Sequence, residues 1–233
     1  MAIARRHPAA GSPPAVTLAV LAVALALLYC GLRLLVADMN SYQAASFVSD
    51  WQGRGHVPSE KAWQVARDAA QRAVAVSPVA SGSHYHRLGA IYEWRHSASY
   101  LGDPAARESR LAALAAYRRA AALRPLWPYG WVRLANLKLQ LLELDGEFDE
   151  ALGKAAALGP WRPRINTEVA RIGLLAWHEL AAGQRTLVLE ALRRVAVQQP
   201  AAARDLQALA ARLQLLAAVC GDTADGGRCS FRP

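Results

Sequence analysis

The chain has 233 residues, of which 54% are hydrophobic, and it carries a formal net charge of +9 at pH 7. This length suits one domain with an attached segment. The arginines are scattered and form no basic block, which argues against a protein dedicated to nucleic-acid binding. Residues 38–233 keep a net charge of +6, from 24 basic and 18 acidic side chains, and that balance can still favour anionic glycans or phospholipid headgroups.

An apolar segment near the N-terminus predicts a single transmembrane helix over residues 15–37. Residues 15–32 contain no charged side chain, and four apolar residues follow Arg33. This length approaches the roughly 20 residues that cross about 30 Å of hydrocarbon as a helix. Residues 1–14 then form a short tail, whose Arg5 and Arg6 favour the cytoplasmic side of a bacterial inner membrane. Residues 38–233 are accordingly predicted to lie in the periplasm.

Two other interpretations of this segment stay open. Two arginines before an apolar run are also typical of a cleaved signal peptide, although this run exceeds the usual roughly 7–15 apolar residues and no clean cleavage site follows it. A lipoprotein would use Cys30, but the bulky Tyr29 stands where a small residue is needed. We therefore favour an uncleaved, single-pass anchor.

Four segments share one pattern and predict an all-α fold. Each has small or apolar residues at steps of four and three, which lie on one helix face, and each ends at a proline. These prolines are Pro78, Pro125, Pro160 and Pro200, at intervals of 47, 35 and 40 residues. A partner helix precedes each segment, and Tyr85, Leu88, Gly89 and Tyr92 reproduce the first-helix spacing of a tetratricopeptide (TPR) repeat.

The pattern predicts TPR-like helical repeats, an α-solenoid, over residues 38–200. An insertion near residues 95–110 accounts for the longest interval, and residues 41–52 are predicted as a short separate helix that leaves the membrane. Residues 201–219 are predicted as a capping helix, because the last repeat of a solenoid cannot bury its own apolar face. Residues 220–233 are predicted as a flexible tail.

Several strings within these repeats carry a more specific resemblance. They are VPSEKAW (57–63), LGAIYEWR (88–95), LRPLWPYGWVRLANLK (123–138), LDGEFDEALGKAAALGPWRPRI (144–165) and LVLEALRRV (187–195). Together they resemble the VpsP-like polysaccharide biosynthesis proteins, which are small bacterial proteins with one membrane anchor and TPR-like helices. The resemblance covers most of residues 40–200 and implies a role in building or exporting an extracellular polysaccharide. It supplies no catalytic residues.

The cysteines predict one local disulfide. Cys30 lies inside the predicted anchor, whereas Cys220 and Cys229 flank the flexible stretch GDTADGGR. In an oxidising compartment these two can pair, and closing a loop of about ten residues would stabilise the fold by about 2–3 kcal/mol.

The sequence contains no recognisable catalytic, cofactor-binding or metal-binding motif. We therefore expect that the protein is not an enzyme and has no cofactor and no metal site. No hydrolase, zinc-protease or phosphate-binding string occurs. The acidic segment 143–150 suggests a calcium loop, but Gly146 is misplaced and Ala156 stands where the last ligand should be. His84 and His86 are two residues apart and point to different helix faces. A carboxylate pair for glycoside cleavage stays open, because such pairs meet only in space.

The repeat alignment predicts a binding surface on the concave face, which the first helices of such repeats line. Its mixture of aromatic, amide and basic groups suits a peptide or loop, and it also suits an acidic glycan. The predicted residues are His86, Glu93, Trp94, Tyr129, Asn136, Gln140, Arg164, Thr167 and Arg171. The tryptophans as a group are predicted to be core residues, with Trp94 and Trp161 the more exposed.

We therefore expect a non-catalytic scaffold or adaptor that organises the machinery of bacterial exopolysaccharide synthesis or export. Its partners would be membrane or periplasmic proteins of that machinery, and not nucleic acid. Two alternatives stay open: direct binding of a nascent acidic polysaccharide on the concave face, and a periplasmic assembly factor for another membrane complex.

Overall fold

The computed structural model describes residues 14–55, 57–221 and 231. It confirms the predicted all-helical class, because no strand occurs among these residues. The helices are α1 (Pro14–Arg54), α2 (Glu60–Val76), α3 (Gly82–Trp94), α4 (Arg107–Leu123), α5 (Pro128–Gln140), α6 (Gly146–Leu158), α7 (Pro163–Leu175), α8 (Ala182–Gln198), α9 (Pro200–Arg212) and α10 (Leu216–Cys220).

Helix α1 is one uninterrupted helix of 41 residues. Residues 14–32 are exposed throughout, and among the described helices α1 alone is long and apolar enough to cross a membrane. Farther along, α1 buries Ala37, Ala44 and Trp51 against the other helices. The prediction of a separate helix over residues 41–52 is wrong, because no glycine or proline interrupts α1 between residues 32 and 52.

Arg33 marks the level at which the helical domain begins. Its Nε donates to the Val76 carbonyl oxygen at 2.8 Å, and its second terminal nitrogen donates to the Ala75 carbonyl at 3.3 Å. These carbonyls belong to the last turn of α2, where no intrahelical partner exists. The predicted span 15–37 thus overlaps the domain at its end. The apolar part that precedes Arg33 is about 28 Å long at 1.5 Å per residue.

Neighbouring helices pack as pairs: α1 with α2, α3 with α4, α5 with α6, and α7 with α8. Contacts also join α1 to α3, α5 to α7, and α7 to α9. Trp63 at the start of α2 donates to the Ile91 carbonyl near the end of α3, at 2.9 Å. Arg124, just after α4, donates to Ser83 at the start of α3, at 3.1 Å. Helix α3 therefore runs antiparallel to both α2 and α4.

Prolines separate the helices where the sequence predicts. Helix α4 ends before Pro125 and α6 ends before Pro160, while α5 and α7 begin at Pro128 and Pro163. A proline suits the first helical position, because its missing N–H would have no acceptor there. The sharp stop around Pro125 is therefore the boundary between one helix pair and the next.

Glycines allow two of these helix pairs to approach closely. A Cβ at Gly89 in α3 would lie 2.9 Å from the Tyr117 ring of α4. A Cβ at Gly173 in α7 would lie 2.0 Å from Cγ2 of Val188 in α8. Real Cβ atoms do not approach so closely, so any larger residue must separate the two helices.

We expect Gly173→Ala to lower the free energy of unfolding by about 1–2 kcal/mol, because the added methyl group overpacks against Val188. Urea unfolding of the full chain in detergent micelles, followed by circular dichroism, measures the change. Gly153→Ala is the matched control, since a Cβ there meets nothing within 4 Å and alanine favours a helix over glycine. Equal stability of the two variants would contradict the close approach.

The predicted insertion is fixed to the domain by one buried arginine. Residues 95–106 join α3 to α4, and Arg110 near the start of α4 is only 2% exposed. Its guanidinium donates to the carbonyl oxygens of Gln140, Ser99 and Tyr100 at 2.9, 3.1 and 2.8 Å. The insertion is thereby held against the end of α5.

The C-terminal region differs from its prediction. The single capping helix expected over residues 201–219 is instead two helices, α9 and α10, because Gln214 adopts a φ of 58° that no α-helix accommodates. Phe231 is 4% exposed and belongs to the main core, so the predicted flexible tail is anchored at this residue. Residues 222–230 and 232–233 lie outside the described part of the chain.

Candidate functional site

A groove runs across α1, α3, α5 and α7 and contains two adjoining cavities. The first, of about 340 Å³, we call the aromatic cavity; it is lined by Ala45, Val48, Ser49, Gln52, His86, Arg87, Ala90, Trp127, Tyr129, Arg133 and Arg164. The second, of about 250 Å³, we call the polar cavity; it is lined by Gln52, Glu93, Trp94, Ser97, Arg133, Asn136, Gln140 and Arg171. Because Gln52 and Arg133 line both cavities, they form one continuous surface.

The structure brings eight of the nine predicted surface residues to this groove. His86, Tyr129 and Arg164 line the aromatic cavity. Glu93, Trp94, Asn136, Gln140 and Arg171 line the polar cavity. Thr167 lines neither; its hydroxyl donates to the Pro163 carbonyl at 3.0 Å and contacts the side-chain oxygen of Gln199 at 2.8 Å.

His86 lies at the centre of the aromatic cavity between two rings. Its imidazole is 5.2 Å from the Tyr117 ring centroid and 4.6 Å, edge on, from that of Trp127. Burial, together with the charges of Arg133 and Arg124 and of two further arginines, lowers the pKa of His86 to about 3. The ring is therefore neutral near pH 7, and its Nδ1 is buried without a hydrogen-bond partner.

Three arginines line the aromatic cavity, and no acidic residue does. Arg87 donates to the Ser41 hydroxyl, and Arg133 forms an ion pair with Glu93 at 3.5 Å in the neighbouring cavity. Arg164 is exposed at the rim. Aromatic faces beside guanidinium groups bind planar or anionic groups well, so this cavity favours a ligand that carries a carboxylate or another anion.

Glu93 organises the polar cavity by accepting four hydrogen bonds. One carboxylate oxygen accepts from the buried Tyr117 hydroxyl at 2.9 Å. The other accepts from Asn136 at 2.9 Å and, at 3.5 Å each, from Arg133 and Gln140. The charge of Glu93 raises the pKa of Arg133, and burial followed by that same charge raises the pKa of Tyr117.

The network continues from α5 to α7 through Asn136. Arg171 donates to the Asn136 side-chain oxygen at 2.7 Å and to Glu168 at 2.9 Å. Asn136 is only 4% exposed, so it links helices and offers little surface to a ligand. The groove residues available for contact are therefore chiefly the aromatic and basic ones.

Sequence reasoning missed Arg87, Arg133 and Trp127, and it assigned no site role to α1. A signal for the two arginines was present, because each stands two positions after the aromatic residue that opens the TPR spacing, Tyr85 in one repeat and Trp131 in the next. Residues 45–52 of α1 gave no such signal, since only the packing of α1 along α3 brings them to the groove.

The acidic segment that suggested a calcium loop serves a buried lysine instead. Lys138 is 2% exposed, and its Nζ lies 3.1 Å from Glu143, 2.7 Å from Asp145 and 3.5 Å from Glu147. Asp145 also accepts from the first backbone N–H groups of α6. Among residues 14–55, 57–221 and 231, no group of three His, Cys, Asp or Glu side chains is placed to hold a metal ion.

Cys220, the last residue of α10, is disulfide-bonded. Cys229 lies outside the described residues, so its pairing with Cys220 stays a prediction. Cys30 is a free, exposed cysteine in the apolar part of α1.

Known proteins add nothing to these assignments. Comparisons of the chain with models of protein families, with curated proteins and with solved structures found no significant match. The resemblance to VpsP-like proteins therefore stays a prediction from the sequence, and the chemistry of the groove is what points to a function.

Proposed function

We propose that the chain is a non-catalytic, TPR-like adaptor, anchored in the bacterial inner membrane, that organises exopolysaccharide biosynthesis or export. The observation that carries the proposal is the groove across α1, α3, α5 and α7, which places aromatic and basic side chains on one continuous surface. The strings that resemble VpsP-like proteins supply the polysaccharide context.

The TPR-like part of the proposal is supported by the order in which the helices pair. Each odd-numbered helix from α1 to α7 packs on the even-numbered helix that follows it, as in stacked helical hairpins. Gly89, Ala135 and Ala170 occupy equivalent small-residue positions in the alignment, and all three are buried between helices.

The orientation is supported by charge and by Cys220. Arg5 and Arg6 precede the apolar part of α1, which favours a cytoplasmic N-terminus. The disulfide at Cys220 fits an oxidising compartment such as the periplasm. With α1 as the membrane span, the helical domain is confined near membrane proteins, so a modest affinity suffices for binding.

The groove suits an acidic, extended segment of a partner protein. Arg164 and Arg87 provide positive charge, and Gln52 and Gln140 provide side-chain amides along the same surface. An extended peptide presents carboxylates and backbone groups at a spacing that such side chains can satisfy. Mutation of the exposed Arg164 should therefore weaken binding without disturbing the fold.

An acidic polysaccharide is the second candidate ligand, because one observation favours it. Trp127 and Tyr129 lie 5.4 Å apart between ring centroids, beside arginines that no acidic residue within the aromatic cavity neutralises. Sugar rings stack on such aromatic faces, and uronate-type carboxylates would pair with the guanidinium groups.

Photo-crosslinking from inside the groove tests the proposal. A photoreactive residue at Tyr129 of the full chain, in its native membrane, should capture a discrete membrane or periplasmic protein. Capture should fall several-fold in an Arg164→Glu background, and a photoreactive residue at Arg119, exposed on α4, is the matched control. If carbohydrate is captured and protein is not, the adaptor function is refuted and the glycan-binding function is supported. Capture of cytoplasmic proteins, or equal capture from both positions, would refute the proposed orientation or the groove.

A further inference from the structure

We propose that the ends of the helices nearest the span form a second membrane contact, in which one edge of the domain lies on an anionic bilayer surface. This membrane edge consists of residues 77–81, 124–127, 159–162 and 197–199. The proposal rests on α1 as the membrane span. The membrane edge shares Trp127 with the aromatic cavity, but the contact does not depend on which ligand the groove binds.

A chain of contacts places these segments at the same end of the domain as Arg33. The guanidinium of Arg33 reaches the last turn of α2, which residues 77–81 follow. Asp38, five residues farther along α1, lies 3.0 Å from His84 at the start of α3. The end of α3 is far from this level, because Trp94 contacts Trp51 near the other end of α1, at 6.3 Å between ring centroids.

The ends of α4, α6 and α8 continue this row away from α1, on the same side of the domain as Arg33. Arg124, after α4, contacts Ser83 and stacks 4.0 Å above the Trp127 ring. Arg162, after α6, lies 5.8 Å from the Tyr129 ring centroid at the start of α5. Gln198, at the end of α8, accepts a hydrogen bond from Asn166 in the first turn of α7, at 3.0 Å. The membrane edge is therefore a row of helix ends that starts beside the span.

Each segment of the membrane edge exposes one large apolar side chain. Val79 is 69% exposed, Leu126 80%, Trp161 85% and Val197 80%. Helix ends and connections normally expose polar residues. None of these four apolar side chains belongs to either hydrophobic core cluster. A row of apolar side chains, with a tryptophan among them, is the composition that favours the interface between headgroups and acyl chains.

The membrane edge is more positively charged than the opposite end of the helices, as binding to an anionic surface requires. The four segments of the membrane edge contain Arg124 and Arg162 and no acidic residue. The exposed Asp38 of α1 lies at the same end and is hydrogen-bonded to His84. The connections at the opposite end also expose apolar side chains, such as Tyr100 and Leu142, but they contain four acidic residues, Asp103, Glu143, Asp145 and Glu179, against one arginine, Arg95. Anionic lipids attract arginines and repel carboxylates, so only the membrane edge complements a bilayer of this charge.

Fluorescence quenching in vesicles tests this contact on the full chain. An environment-sensitive NBD label is attached to Trp161→Cys in a Cys30→Ser background, and the chain is reconstituted into phosphatidylethanolamine vesicles with 30% phosphatidylglycerol. Lipids with a nitroxide near the headgroup should quench this label at least twofold more than a label at Tyr100→Cys, the matched position at the opposite end. The Cys30→Ser chain without an added cysteine measures background labelling.

A label on the native Cys30 separates the two ways in which the experiment can fail. Strong quenching at Cys30 by deep nitroxides, with equal and weak quenching at positions 161 and 100, would retain the span and overturn the membrane edge. An unquenched label at Cys30 would overturn the span and the membrane edge together. Replacing phosphatidylglycerol by phosphatidylcholine should reduce quenching at position 161, and an unchanged value would contradict the role given to Arg124 and Arg162.

Discussion

Replacing Glu93 by alanine should lower the free energy of unfolding by about 2–4 kcal/mol, somewhat less than the cost of breaking a fully buried ion pair, because the Arg133 side chain keeps 25% exposure. The Glu93 side chain is only 12% exposed and accepts from four donors on α4 and α5. Without it, Arg133 becomes a largely buried charge without its counter-ion, and the buried Tyr117 hydroxyl loses its acceptor. Water does not reach the Tyr117 hydroxyl easily, because this residue is 0% exposed.

Urea unfolding of the full chain in detergent micelles measures this loss. Glu93→Gln should be less damaging, because its carbonyl oxygen still accepts from Asn136, although the ion pair with Arg133 is lost. Glu190→Gln is the control, since Glu190 forms an exposed ion pair with Arg194 one turn away and its removal should cost less than about 0.5 kcal/mol. If Glu93→Ala and Glu190→Gln unfold at the same urea concentration, the central role of Glu93 is refuted.

Replacing Lys138 by alanine should cost about 3 kcal/mol near pH 7. The change leaves a cavity where a buried aliphatic chain packs, and it leaves three carboxylates close together. This cost is at the low end for a buried ion pair, because Asp145 is 56% exposed and water partly screens its charge. Lys154→Ala is the matched control, because Lys154 is largely exposed, pairs with Glu150 and lies 4.2 Å above the Trp131 ring, so it should contribute about 1 kcal/mol.

The cost of Lys138→Ala should shrink at low pH. A hydrogen bond from Lys138 lowers the pKa of Asp145, and one from Arg118, followed by the charges of Arg118 and Lys138, lowers that of Glu147. A lowered folded-state pKa contributes stability above the ordinary values of 3.8 and 4.5, and that stability is lost as the pH falls through the folded-state values.

The same cost should also fall at very high pH. Burial alone would lower the pKa of Lys138, but hydrogen bonds from its ammonium to Asp145 and Glu143 raise it above 10.5. Its contribution is therefore complete below that value and is lost as the pH rises through the raised one. Unfolding curves of both chains at pH 7 and pH 3 check the acid side. A difference that stays constant between these pH values would contradict the electrostatic account.

Periodicity and prolines predicted the helices and much of the groove. The steps of four and three before Pro125 and Pro160 set the register of two helix pairs, and that register placed eight of nine predicted residues on one surface. These features are local, because a helix face repeats every three to four residues and can be counted along the chain.

The remainder depends on contacts between residues far apart in the sequence. Lys138 stands in the repeat where Tyr92 stands in the preceding one, and nothing local indicates that its ammonium is buried beside three carboxylates. The contact of Arg33 with Val76 joins residues 43 positions apart, and it decides where the domain begins. Phe231 likewise packs in the core, although the sequence of residues 220–233 predicts a flexible tail.

The unbroken length of α1 has a mechanical consequence. A helix of 41 residues has no hinge, so with α1 as the membrane span the domain would turn about the membrane normal only together with that span. With α1 as the span, the groove residues Ala45 and Gln52 stand about 18 to 29 Å beyond Arg33 along the helix axis, at 1.5 Å per residue. A partner would then meet the groove at one height and one tilt, and its search would reduce to diffusion in the plane plus a single rotation. Proteins whose acidic segments lie at another distance from the bilayer would not reach the groove. The distance of the groove from the membrane would therefore help to select the partners that can bind.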